Sequence, residues 1–272
     1  MFRGRIGVRR DGEVVKGDMD SLFPFLSPLH LFFALLIGVG SGFIKGVVGF
    51  GMPLVMISGL TLFIAPEFAL AGLILPTLMS NVMQSTRYGS GAVWQSVKEF
   101  RVFLLCGGVT LVIAAQFVLV VADEVLKLMI GVLMVCFSAL QLSKYTFQIT
   151  KRSLRTDAAV GGVTGVIGGM SGMWGAPTVA YLTALNTEKS EQMRLQGVIY
   201  GLGAVALLGA HIGSGVLRAE TWPFSAMLIP PAILGMWLGG KVVDGIDQQM
   251  FRRATLIVLL VAGLNLVRRA LF

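Results

Sequence analysis

Stretches close to 20 predominantly apolar residues, about the length that crosses a hydrocarbon core, recur from residue 29 to the end of this chain. With 55% hydrophobic and only 13% charged residues and a mean hydropathy of +0.81, 272 residues could not keep a solvated surface as a soluble domain. The chain is therefore read as a polytopic all-α membrane protein with the lipid bilayer as its main surroundings. Eight crossing elements are expected at about 29–66, 67–86, 101–121, 124–143, 157–185, 191–215, 222–240 and 251–270.

Residues 1–28 differ, carrying Arg3, Arg5, Arg9, Arg10 and Lys16 among Asp11, Glu13, Asp18 and Asp20, without an apolar core that ends in a cleavage site. They read as a retained cytoplasmic tail. The net charge of +8 is spread over the ends of apolar segments, which suits membrane orientation better than nucleic acid. If every element crosses once, Arg87, Lys98, Arg101, Lys144, Lys151, Arg152, Arg155, Arg218, Arg268 and Arg269 fall on the tail's side. Both termini are then expected in the cytoplasm. Cys106 and Cys136 lie in apolar segments without metal-ligand spacing, so they are read as packing residues, and neither a metal nor a cofactor is expected.

The first and fifth elements are too long. A straight helix over 29–66 would be roughly twice the hydrocarbon thickness. Full hairpins would give ten segments and carry the basic KRSLR loop at 151–155 outside, so a broken or re-entrant element counting as one crossing is expected. The first long element contains GFIKGVVGFGMP at 42–53, and the fifth contains GVIGGMSGMWGAP at 165–177. Gly42, Gly46, Gly49, Gly51 and Pro53 match Gly165, Gly169, Gly172, Gly175 and Pro177. Each copy opens a four-segment half, so a duplication is expected, 29–156 and 157–272, with parallel halves.

Paired Gly/Pro interruptions in two halves point to a transporter's binding site. A break frees backbone N–H groups that lipid cannot satisfy, and a proline in the first turn of the next half-helix leaves its neighbours' N–H groups and the dipole facing the break. Such a break suits a small anion. The alternative is that the glycines only let helices approach closely. On this reading the candidate site residues are Gly46, Gly49, Gly51, Pro53, Gly169, Gly172, Gly175 and Pro177.

The duplicated glycine and proline pattern resembles the signature of the TauE/SafE family of membrane permeases. LPTLMSNVMQSTRYG at 75–89 is similar to its second segment, and PPAILGMWLGGKVVDGIDQQMFRRATLIVLLVAGLNLV at 230–267 to its C-terminal pair. The resemblance covers 29–270 and implies a secondary transporter of the bacterial inner membrane, exporting sulfite or an organosulfur anion such as sulfoacetate. Met173 and Trp174 depart from the usual glycine-rich stretch.

Other candidates carry two readings each. Lys45 would attract an anion or snorkel to the interface, and Gly168 stands at its place in the second copy. Asn81, Gln84 and Ser85 share a helical face, with Gln196 and Tyr200 in the matching segment of the second half; they would line a polar path or bond helix to helix. His211 would carry a proton or sit at the interface. Glu67 and Glu188 read as solvated caps, and no buried carboxylate relay is apparent. An anion channel is the alternative to a carrier, and a membrane-embedded assembly factor a weaker one. An enzyme is not expected, because no H-E-x-x-H, paired aspartates or nucleophile elbow lies in the apolar segments.

Overall fold

The computed structural model describes residues 26–86, 89–143, 149, 152–242 and 248–272, and its regular structure among these is helical. The expected cytoplasmic tail falls almost wholly outside the described residues, as do Arg87, Lys144 and Lys151. The first half contains α1 (Pro28–Val48), α2 (Met52–Leu60), α3 (Pro66–Thr86), α4 (Gly89–Glu99), α5 (Arg101–Ala115) and α6 (Asp123–Leu142). The second contains α7 (Leu154–Ser171), α8 (Gly175–Ala184), α9 (Lys189–Ser214), α10 (Trp222–Met227), α11 (Ile229–Val242) and α12 (Gln248–Leu271). Five stretches among the described residues are long and apolar enough to cross a membrane: α1, α3, α6, Arg194–Ser214 of α9, and Trp222–Val242, which joins α10 and α11. Their outward residues, such as Leu36, Val132, Val205 and Leu234, are exposed apolar side chains that a lipid surface would cover.

Both overlong elements end their first helix in the same way. A serine starts each one, Ser27 accepting from the His30 N–H at 3.2 Å and Ser153 from the Thr156 N–H at 3.1 Å. A left-handed glycine stops each one, Gly49 at φ 84° and Gly172 at φ 72°, with N–H groups bonded back to the Lys45 and Gly168 carbonyls at 2.8 Å. The chain then turns back. Gly59 of α2 packs on Ile37 of α1, and the rings of His30 and Phe63 stack 5.0 Å apart at the hairpin's open end. In the second half the Tyr181 hydroxyl on α8 donates to Asp157 on α7 at 2.5 Å, and the Ile149 N–H donates to the Ala184 carbonyl at 2.7 Å.

Each element is thus a hairpin, which corrects the expectation of one crossing. A hairpin returns the chain to its starting side, so it removes one crossing from the even number expected in each half. The matched helices accordingly run in opposite directions, not in parallel. Asn81 of α3 bonds to Tyr200 of α9, while Ser85 sits by Gly197, so these two helices are antiparallel. Gly131 of α6 meets Val267 of α12 and Val135 meets Gly263, again antiparallel. The exchanged pairs are parallel: α1 on α11 through Gly42 and Gly46, and α7 on α5 through Gly165 and Gly169.

Those glycines explain the close packing. A methyl group at Gly42 would run into the Ala232 carbonyl, and one at Gly165 into the Gly107 carbonyl; Gly46 and Gly169 meet the Met236 and Leu111 carbonyls. Backbone-to-backbone approach of this kind lets dispersion and polar contacts act where lipid supplies no hydrophobic drive. The Thr110 hydroxyl adds such a contact, donating to the Gly162 carbonyl at 2.8 Å. Elsewhere, Pro76 inside α3 cannot donate to the Gly72 carbonyl. Ser225, fully buried, donates its hydroxyl there at 3.3 Å.

The start of α1 and the end of α12 lie at one end of the bundle, where the Arg269 guanidinium donates to the Thr61 carbonyl at 2.7 Å. The opposite end holds Lys98, Arg101, Arg152, Arg155, Arg194, Lys241 and Arg253, at helix termini that the hairpins bring there. The start of the first described helix and the end of the last therefore share an end of the bundle, and Arg152–Arg155 lie at the other. Gly42→Val is expected to abolish the monodisperse folded peak in size-exclusion chromatography, because no side chain separates α1 from α11. Gly40→Ala, with nothing within 4 Å, should hold stability within about 1 kcal/mol, the scale of helix propensity.

Candidate functional site

The two hairpin tips come from opposite ends and reach past each other. Gly172 lies against Leu70 and Leu73 of α3, whereas Lys45 bonds to Ser80 and Asn81 farther along the same helix. Between the tips is a cavity in which the centre of a water-sized sphere has about 30 Å³. Lys45, Phe50, Gly51, Pro53 and Leu54 line it from the first hairpin, and Met173, Trp174 and Gly175 from the second. Asn81, Phe137 and Tyr200 complete the wall.

Lys45 does not snorkel. It is 3% exposed, and its ammonium donates to Ser80 Oγ at 2.9 Å and to Asn81 Oδ1. Asn81 is oriented for this role, since its amide nitrogen donates to the Tyr200 carbonyl at 3.2 Å. The Tyr200 hydroxyl in turn donates to the Gly175 carbonyl at 3.1 Å, at the first residue of α8. A polar chain therefore runs from the first break through α3 and α9 to the second. An ammonium has three donors and here two neutral acceptors. Among the described residues no carboxylate pairs with Lys45, so its charged form would lie in a buried site without a counter-ion. Isolated buried charge is costly unless paired.

The glycines divide into two sets. Gly49, Gly51 and Gly172 have positive φ and form the turns, and Gly51 and Gly175 line the cavity beside Pro53. Gly46 and Gly169 do not reach it; they are helix contacts, and the close-approach reading applies to them. Pro177 lines a separate apolar pocket with Leu54, Phe137 and Met173. Gln84 and Gln196 are buried at 7% and 5% exposed, outside the cavity lining, with Gly197 against Gln84. Ser85 bonds back to the Val82 carbonyl of its own helix.

His211 is fully buried among the helices. Its Nδ1 lies 3.2 Å from Ser214 Oγ, and it stands away from the cavity wall. Cys136 is exposed, not packed, because it faces outward from α6. A buried carboxylate does exist: Asp157, 2% exposed, receives the Arg152 guanidinium at 2.9 Å and the Tyr181 hydroxyl. Arg152 also reaches Glu99 at 3.2 Å and lies over the Phe100 ring. The cluster ties both helices of the second hairpin to the α4–α5 junction. Its sequence signal was faint, because Arg152 and Asp157 stand in a basic stretch that reads as solvated.

Sequence reasoning singled out Asn81 but passed over Ser80. The spacing of Thr77, Ser80, Asn81 and Gln84, all buried, marks one continuous polar stripe on α3 and would have found it.

Two glycine-stopped hairpins meet around a buried lysine within a bundle that includes five membrane-length apolar stretches, the arrangement of an integral membrane protein with a polar centre. The family model described as sulfite exporter TauE/SafE matches residues 34–266, and the chain belongs to that family. No curated protein and no solved structure gave a significant match.

Asp157→Ala should lower unfolding free energy by about 2 kcal/mol in thermal or denaturant unfolding of the purified protein. This is less than the loss for a fully buried pair, because the Arg152 side chain keeps 27% exposure and retains Glu99.

Proposed function

We propose that this protein is a secondary transporter that exports a small sulfur-containing anion, sulfite or an organosulfur anion, with the anion held between the hairpin tips. The observation that carries this reading is Lys45, a buried ammonium without a carboxylate partner that faces a cavity at two helix breaks. An anion beside it would supply the missing counter-charge. The Met52 N–H at the start of α2, in the turn after Gly51, belongs to the helix end whose dipole favours negative charge. Opposed hairpins in oppositely directed halves suit alternating access, with one half rocking against the other around the site.

The bilayer orientation follows from the same connectivity. The segments joining helices at the Arg152 end carry more Lys and Arg than those at the other end, even with the tail's five basic residues added to the latter. The positive-inside rule then puts the Arg152 end in the cytoplasm and both termini on the outer face. This replaces the cytoplasmic termini expected from single crossings. A C-terminal alkaline phosphatase fusion should be active and a C-terminal green fluorescent protein fusion dark; the opposite pair of results would reverse the orientation.

Uptake of labelled sulfite, sulfate, thiosulfate, sulfoacetate and acetate into liposomes carrying the purified protein tests the function. Saturable uptake of a sulfur anion is expected, and Lys45→Gln should weaken half-saturation at least about 30-fold, the low end for removing one partner of a buried charge pair. Flux that rises linearly with concentration would indicate a channel. Flux equal to empty liposomes for all five anions would reject the sulfur-anion reading.

A further inference from the structure

The side chains that line the cavity are mostly apolar. Lys45 is the single cation among its lining residues, and Asn81 accepts a hydrogen bond from it. Its apolar lining is Phe50, Leu54, Phe137, Met173 and Trp174. Trp174 fills the place at Gly168 that corresponds to Lys45 in the first copy: a methyl group on Gly168 would come within 2.9 Å of the Trp174 Cβ. The second hairpin therefore contributes an apolar body where the first contributes a charge.

Behind that lining lie two further spaces. Trp174 also borders a groove between α5, α7 and α9 in which the centre of a water-sized sphere has about 330 Å³. Leu54, Phe137 and Met173 also border a second pocket of about 180 Å³ on the same measure. Both are lined almost entirely by apolar side chains. The indole lies against Gly203, where a methyl group would fall 3.1 Å from Nε1, so a glycine provides the room in which the ring is seated. Turning one side chain would join the small polar cavity to a much larger apolar space.

Resting on the anion-transport reading, we infer that the site is built for a singly charged anion with a short apolar group, an alkanesulfonate-like monoanion, in preference to a dianion. The acidic group sits at Lys45 and Asn81, and the apolar group lies against Trp174 and Met173. One lysine balances one negative charge. A second charge on the substrate, as in sulfate or sulfoacetate, would have no second cationic side chain in the lining to pair with.

Binding to the purified full-length protein, measured by calorimetry and thermal shift, decides the matter. The probes are methane-, ethane- and butanesulfonate, hexanesulfonate, sulfate and sulfoacetate, applied to wild type and to Lys45→Gln, Trp174→Ala and Trp174→Phe. Ethanesulfonate is expected to bind at least about 10-fold more tightly than either dianion. Affinity should rise up to about fourfold per added methylene, the gain from burying one CH₂, until the Trp174 wall is reached. Trp174→Ala should extend the rise to hexanesulfonate, and Trp174→Phe should keep the wild-type limit. If Trp174→Ala does not fold, Met173→Ala opens the same wall toward the second pocket and should extend the rise in the same way. Sulfate or sulfoacetate binding as tightly as ethanesulfonate overturns the inference, as does an unchanged chain-length limit in the alanine variant that folds. Dianion binding lost in Lys45→Gln would leave anion transport intact while removing the monoanion preference. Equal binding of every probe by wild type and Lys45→Gln would reject the site itself.

Discussion

Lipid offers no hydrogen bond to a broken helix, and the arrangement of this protein follows from that constraint. Each of the two long apolar elements stops at a left-handed glycine and reverses, leaving backbone groups at a tip that must be covered by protein. The tips cover each other. They enter from opposite ends, pass side by side, and close around a small cavity into which the turns and Lys45 face. The glycine contacts of α1 with α11 and of α7 with α5 hold the hairpins at the depth where this is possible.

The polar groups at the centre are organised more by the first hairpin than by the second. Lys45 is fixed by Ser80 and Asn81, and Asn81 is fixed by the Tyr200 backbone. At the matching depth of the second hairpin, Gly168 leaves space that Trp174 occupies. The two hairpins have similar backbones, while a lysine on one and an indole on the other make the site asymmetric. The Asp157 cluster has a different role, binding the two arms of the second hairpin together at the basic end through charge-assisted bonds.

Much of this was legible along the chain. The apolar runs announced a membrane protein, and the matched glycines marked both helix stops within a residue or two, because only glycine takes positive φ readily at a helix end. Pro53 correctly marked the first turn of a new helix. Asn81 stood out as an amide within an apolar run, and Lys45 as a cation where none belonged. The function of each glycine was less legible: Gly46 and Gly169 fit the same spacing as Gly49 and Gly172, yet they serve a helix contact. Spacing along one helix cannot say which helix lies beside it.

The sequence by itself determined the helical membrane class, the places where the first and fifth elements break, and membership of a recognisable permease pattern, since these depend on local composition and backbone preference. Whether the chain continued through each break or turned back was decided by tertiary contacts, His30 on Phe63 and Tyr181 on Asp157. Those contacts inverted the second half relative to the first, moved Arg152–Arg155 to the end of the bundle opposite the start of α1 and the end of α12, and buried His211 and Asp157. A break permits both paths at similar local cost, so only the partner surfaces packed against α2 and α8 could select the hairpin.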